Sequence, residues 1–198
     1  MSAIESTAFI KPPTKIPLLI KLGIIISNKV TKKELLAPKL LAWYPKVAFS
    51  SGVLESLVAH GDKDLNKRIL KLVRVQVSIT AACPFCVDMN SFEYEKEGVT
   101  EAEILSLVKR INPDEVETFS PKERLALKYA LMITQTPVEV PESFVETLKT
   151  KFTEREIVIL ASTAAQVNYW ARLLKSLGVP PAGFLDHCEF KNFSSENQ

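Results

Sequence analysis

Histidine and cysteine are both scarce in this sequence, two of one and three of the other in 198 residues. A structural zinc site takes four ligands, usually as two short-spaced Cys or His pairs. Only one such pair exists, Cys83 and Cys86, and the other candidates, His60, His187 and Cys188, lie far from it in sequence. Adjacent residues such as His187 and Cys188 rarely both reach one metal, so no metal is expected. An odd cysteine count with one close pair also excludes the disulfide framework of a secreted domain and fits a reducing cytoplasm. Excess charge of either sign is missing too: 25 Lys and Arg face 23 Asp and Glu, a net +2. Nucleic-acid binding would need a strongly basic face with stacking aromatics, and nothing calls for it.

Long apolar runs are likewise lacking. Ile16 to Ile26 is the most apolar stretch, yet it carries Lys21 and is too short to span a bilayer. Ser27-Asn28-Lys29 after it makes a poor leader-peptide cleavage site. The run reads as a helix packed on the domain or on a neighbouring subunit. Alternating strand patterns do not compete with apolar spacing near 3.6, which predicts an all-α fold. With 46% hydrophobic and 24% charged residues, the chain has enough apolar material for one good core.

What is present centres on Thr80 to Asn90, which contains Cys83-Pro84-Phe85-Cys86. Proline suits the first helical position and pushes the preceding residue out of the α region, so Cys83 is a candidate N-cap and Cys86 sits at N3. Unpaired N–H groups and the positive end of the helix dipole favour a thiolate there. The competing reading is plain burial, since cysteine is often a small core hydrophobe.

In chain order, Met1 to Thr14 suggests an extended or poorly ordered arm, and Leu35 to Leu41 a helix before the break at Pro45. Asp64 to about Thr80 is expected as one helix leading into the cysteine turn, with Leu65, Ile69, Leu72, Val73 and Gln76 at helical spacing. Its other face carries Lys63, Lys67, Lys71 and Arg74, either as a solvated stripe or with Lys71 or Arg74 turned toward the cysteines. His60, just before a glycine, reads as a helix C-terminal histidine. Val87 to Glu97 is expected to be helical up to Gly98. Thr100 with Glu103, Ser120 with Pro121 and Glu123, and Thr153 with Glu156 mark three further helix starts. Pro141 opens a segment through Phe152, and the last helix ends at Gly178. The expected organisation is an arm and helical extension over residues 1–64, a core over 65–178 and a tail over 179–198, with His187 and Cys188 at the surface of the tail.

The run from Leu70 to Asn90, Gly98-Val99, Phe119 to Leu127 and Asn168-Tyr169-Trp170-Ala171-Arg172 together resemble the carboxymuconolactone decarboxylase and alkylhydroperoxidase D-like superfamily. The resemblance spans roughly Leu65 to Leu177. It implies an all-helical domain whose subunits associate as homo-oligomers. For the peroxidase branch it implies that Cys86 attacks a peroxide, becoming a sulfenic acid, and that Cys83 condenses with it to a disulfide.

That branch carries a proton relay of a histidine four residues after the second cysteine and a glutamate twelve before the first. Here those positions are Asn90 and Lys71. Asparagine orients a hydrogen bond but takes no proton near neutral pH. One reading keeps the pair redox-active toward a small-molecule peroxide or a disulfide partner, with the Lys71 charge favouring a thiolate. Another makes the protein a non-catalytic oligomeric binding or scaffold member. A third, a lactone decarboxylase with Lys67, Lys71 and Arg74 binding an acid, is disfavoured because such members do not depend on a Cys-x-x-Cys. No organic cofactor is implied. Candidates to stand in for the absent base are Glu93, His60 or a residue of another subunit.

Overall fold

The helix Lys67–Thr80 is the axle of the structure, a computed structural model that describes residues 8–57 and 64–185. Numbered in chain order, the helices are α1 Leu18–Thr31, α2 Leu36–Leu41, α3 Pro45–Leu57, α4 Lys67–Thr80, α5 Pro84–Ser91, α6 Glu101–Val108, α7 Pro121–Thr134, α8 Glu142–Lys149 and α9 Glu154–Ser176. Single tight turns occupy Tyr94–Glu97 and Pro113–Glu115, and no strand occurs among the described residues. The fold is all-α, as the apolar spacing predicts.

Helix α4 is rich in β-branched residues, with Val73, Val75, Val77, Ile79 and Thr80 toward its C-terminal end. Each carries a helix-propensity cost of up to about 0.7 kcal/mol relative to alanine. Burial decides the outcome, because fully burying a Val, Leu or Ile side chain is worth roughly 1.5–3 kcal/mol. Val73, Val75, Val77 and Ile79 are all buried, and α5, α7 and α9 pack around them.

Two clusters flank this axle. Leu70, Val73 and Val77 meet Ala126 and Ala130 of α7, Leu148 of α8 and Leu160, Ala164 and Val167 of α9. Leu72, Val75 and Ile79 face Ile104 and Leu107 of α6 together with Phe119 and Leu127. A third cluster gathers Leu35, Leu36, Ala37 and Leu40 from the N-terminal extension with Cys83, Phe85, Cys86, Leu174, Val179 and Phe184. Segments from both ends of the chain thus close over the cysteine turn.

The three expected capping boxes form, at Thr100–Glu103, Ser120–Glu123 and Thr153–Glu156. Two of their glutamates do a second task. Arg68, near the start of α4, donates from Nε to Glu123 Oε1 at 2.6 Å and from Nη2 to Glu103 Oε1 at 2.6 Å. One guanidinium therefore ties the N-termini of α6 and α7 to α4. Burial acts to raise the Glu103 pKa, but Arg68, the Thr100 N–H and the Thr118 hydroxyl outweigh it and hold the carboxyl down at about 2.

Two expectations are corrected. Helix α4 begins at Lys67, because the Asn66 side chain accepts the Arg68 N–H and caps it there. The helix expected over Val87 to Glu97 breaks: α5 ends at Ser91, Glu93 turns left-handed at φ 53°, and a separate tight turn leads to Gly98 at φ 74°. The arm is extended but pinned where it is described, with Phe9 N–H donating to Leu177 O at 3.0 Å and Trp43 Nε1 to Lys11 O at 2.8 Å. Helix α1 buries only Ile24, while Leu18, Leu19, Leu22, Ile25, Ile26 and Val30 are exposed. His60, Lys63, His187 and Cys188 lie outside the described residues.

Candidate active site

The cysteine turn begins in the way α4 stops. Ala82 adopts the left-handed conformation at φ 48°. Its N–H reaches Ile79 O at 3.0 Å while Cys83 N–H reaches Ser78 O at 3.1 Å. This is the 5→2 and 6→1 pairing of a Schellman ending. Chain reversal and helix start then share one residue, because Cys83, extended at φ −105° and ψ 101°, is also the N-cap of α5 with Pro84 next. Cys83 Sγ accepts the Cys86 N–H at 3.3 Å. The two cysteines are joined as a disulfide with a Cα separation of 5.2 Å, and both are buried.

The sulfurs are not equivalent. Cys86 lines a cavity of about 120 Å³ to which Cys83 does not contribute. Leu35, Pro38, Phe85, Met89, Val167 and Leu174 make its walls largely apolar. Its polar groups are Ser27, Glu55, Arg74, Asn90, Gln166 and the indole of Trp170. Asn90 is held by its Nδ2 donating to Ser78 Oγ at 3.0 Å, one turn back on α4. The far side of α5 is fixed by buried Asp88, whose carboxylate accepts the N–H groups of Ala182 and Leu185, each at 2.8 Å.

The basic face of α4 divides between two tasks. Lys71 is half-buried and donates from Nζ to Phe92 O at 2.9 Å, just past the end of α5, so it does not line the cavity. A cation there suits the unsatisfied carbonyls of a helix C-terminus. Its pKa is lowered, first by burial and then by Arg74, against the pull of Glu97, Glu93 and Glu95. Arg74 is the cation that the fold turns into the cavity. Burial lowers its pKa, with Glu55 and Glu97 opposing, and a guanidinium stays charged regardless. Glu93 faces solvent and pairs with Lys96 at 2.6 Å, away from the cavity.

Glu55 on α3 has no counterpart in the sequence reading. Its Oε2 accepts the Trp170 indole N–H at 2.9 Å and is also bonded by Gln166 Nε2. One turn earlier, Ser51 Oγ and Tyr169 Oη share a hydrogen bond of 2.8 Å that fastens α3 to α9. A lone carboxylate in an unremarkable helical stretch carries no local signal. The Asn168-Tyr169-Trp170 motif was visible, but not what it binds.

Among the described residues no group of three or more His, Cys, Asp or Glu side chains converges as a metal site. No described helix is long and apolar enough to cross a membrane.

No family model matches the chain. It is 30% identical over 115 residues to the uncharacterized protein YdfG of Bacillus subtilis, covering 58% of this chain and 76% of that protein. An uncharacterized peroxidase-related protein with an alkylhydroperoxidase AhpD core, from Ralstonia eutropha, superposes with a TM-score of 0.77 at 19% identity, over 90% of this chain and 95% of that one. A protein of unknown function from Agrobacterium tumefaciens, proposed as an antioxidant-defence AhpD protein, gives 0.63 at 25% identity, over 71% and 94%. The debrominase Bmp8, solved with 2,3,4-tribromopyrrole, shares the fold at 0.70 and 14% identity, over 87% and 92%. A central buried helix turning through a Cys-x-x-Cys into a second helix defines a helical protein of the AhpD-core class. With the sequence match added, this chain belongs to the carboxymuconolactone decarboxylase and alkylhydroperoxidase D-like superfamily.

Proposed function

We propose that this protein is a thiol-dependent oxidoreductase that reduces a small peroxide through Cys83 and Cys86. The shared fold does not choose the reaction, since the same architecture serves a debrominase. The observation that carries the reading is the asymmetry of the pair: Cys86 lines the apolar cavity, and Cys83 lies beside it at the N-cap. In the reduced protein the Cys86 thiolate attacks one peroxide oxygen, the O–O bond breaks, and the other oxygen leaves as an alcohol or water once protonated. The resulting Cys86 sulfenic acid takes the Cys83 sulfur and releases water, forming the disulfide. An external dithiol returns two electrons and two protons to complete the cycle, which suits a reducing cytoplasm.

Homo-oligomerisation belongs to the same proposal, supported by the uncovered apolar face of α1. Single-turnover reaction of the reduced protein with tert-butyl hydroperoxide, followed by thiol counting, tests the chemistry. Wild type is expected to lose two thiols per peroxide. Cys83→Ser is expected to stop at a sulfenic acid trapped by dimedone, and Cys86→Ser to react no faster than a free thiol. A sulfenic acid formed on Cys83 in Cys86→Ser at the wild-type rate would reverse the assignment.

A further inference from the structure

We propose that Glu55 is the proton-transfer residue of the Cys86 cavity. This rests on the peroxidase reading above and deepens it. The positions where the family places a base and its partner hold Asn90, which carries no titratable proton near neutrality, and Lys71, whose ammonium is committed to Phe92 O outside the cavity. The reaction still needs a proton moved from the thiol to the departing oxygen, because an unprotonated alkoxide is a poor leaving group.

Among the described lining residues Glu55 is the single carboxylate. Three features suit it to the task. Its Oε2 is oriented by two donors of α9, Gln166 Nε2 and Trp170 Nε1, so the carboxylate is aimed rather than free to rotate. Arg74 lines the same cavity and places a fixed positive charge there. Its residue is exposed on the solvent side while lining the cavity, so it can exchange protons with water between turnovers.

Glu55 takes the Cys86 thiol proton, the sulfur attacks the near peroxide oxygen, the O–O bond breaks, and Glu55 returns the proton to the leaving alkoxide. Glu55 ends as it began, and the two electrons come from sulfur.

The test compares two reactions of the reduced protein, wild type and Glu55→Gln. One is with tert-butyl hydroperoxide, whose leaving group needs a proton; the other is with iodoacetamide at the alkaline plateau of its pH profile, where the thiolate is already formed and the leaving iodide needs no proton. Glutamine keeps an acceptor for Gln166 and Trp170. Loss of a general acid–base group typically costs about 10²–10⁴-fold. Glu55→Gln is expected to lose peroxide rate on this scale while its alkylation rate does not fall, and Glu55→Asp to recover part of the peroxide rate. Peroxide and alkylation rates that change in parallel, or a peroxide rate within about twofold of wild type, would overturn the role of Glu55 while leaving the peroxidase reading intact. A wild-type protein no faster with peroxide than a free thiol would overturn both. Equal thermal melting of the variants separates chemistry from misfolding; if Glu55→Gln melts early, an Asp variant that folds but recovers nothing also counts against the proposal.

Discussion

At the scale of single residues, the position before the cysteine pair is instructive. Ala82 occupies the left-handed site of a Schellman ending, where glycine is the usual choice. A left-handed L-residue costs roughly 1–2 kcal/mol, and glycine returns part of that gain as roughly 0.5–1 kcal/mol of extra unfolded-chain entropy. Ala82→Gly is therefore expected to stabilise the protein by about 0.5 kcal/mol in urea unfolding. Its cost should be a looser turn and slower disulfide closure after peroxide treatment. Cys83 as N-cap and Pro84 at the first helical position were legible in the sequence, because both preferences act within four residues. The left-handed Ala82 was not, because alanine gives no sign of it.

Helices and their junctions show where local rules stop. Both capping boxes at Glu103 and Glu123 could be read from spacing, yet nothing local says that Arg68 joins them. That triad lies 35 and 55 residues apart along the chain. Removing one partner of a buried ionic group typically costs about 3–5 kcal/mol, because the remaining charges stay buried. Arg68→Met is expected to lose stability on this scale in urea unfolding. The Glu103 carboxyl has a folded pKa of about 2 against an ordinary 4.5, so its contribution is fully present above about 4.5 and is lost as pH falls toward 2. Melting temperature should decline through that window in wild type and decline less in Arg68→Met. The break after Ser91 has the same kind of origin. Phe92 turns its ring to Phe184 at 5.1 Å and its carbonyl to Lys71. Distant partners thus end a helix that its own sequence would continue.

Over the whole molecule, the uneven treatment of apolar surface matters most. The interior of α4 is sealed on every side, while α1 leaves Leu18, Leu19, Leu22, Ile25, Ile26 and Val30 exposed, with Phe49 and Val53 exposed on α3, which contacts it. Contiguous exposed apolar residues on this scale usually mark an interaction surface. If α1 packs on a second copy, Leu22→Glu together with Ile26→Glu should lower the mass measured by light scattering after size exclusion without lowering the melting temperature of the separated subunit. An unchanged mass would remove α1 from any interface. Because α3 contacts α1 and carries Glu55, loss of association is also expected to slow the peroxide reaction.

By itself the sequence determined the helical class, the capped starts of α6, α7 and α9, the cysteine turn and the superfamily to which it belongs. These rest on interactions between residues a few positions apart, or on the 3.6-residue period of the apolar ones, and both are written directly into the order of residues. Only the tertiary structure decided which cysteine meets the cavity, that Arg74 and not Lys71 faces it, and that Glu55 from the N-terminal extension stands there with Gln166 and Trp170. A side chain's direction depends on how its helix is rotated against its neighbours. That rotation is set by the summed burial of many apolar residues across α2, α4, α5 and α9, and no single stretch of the chain carries it.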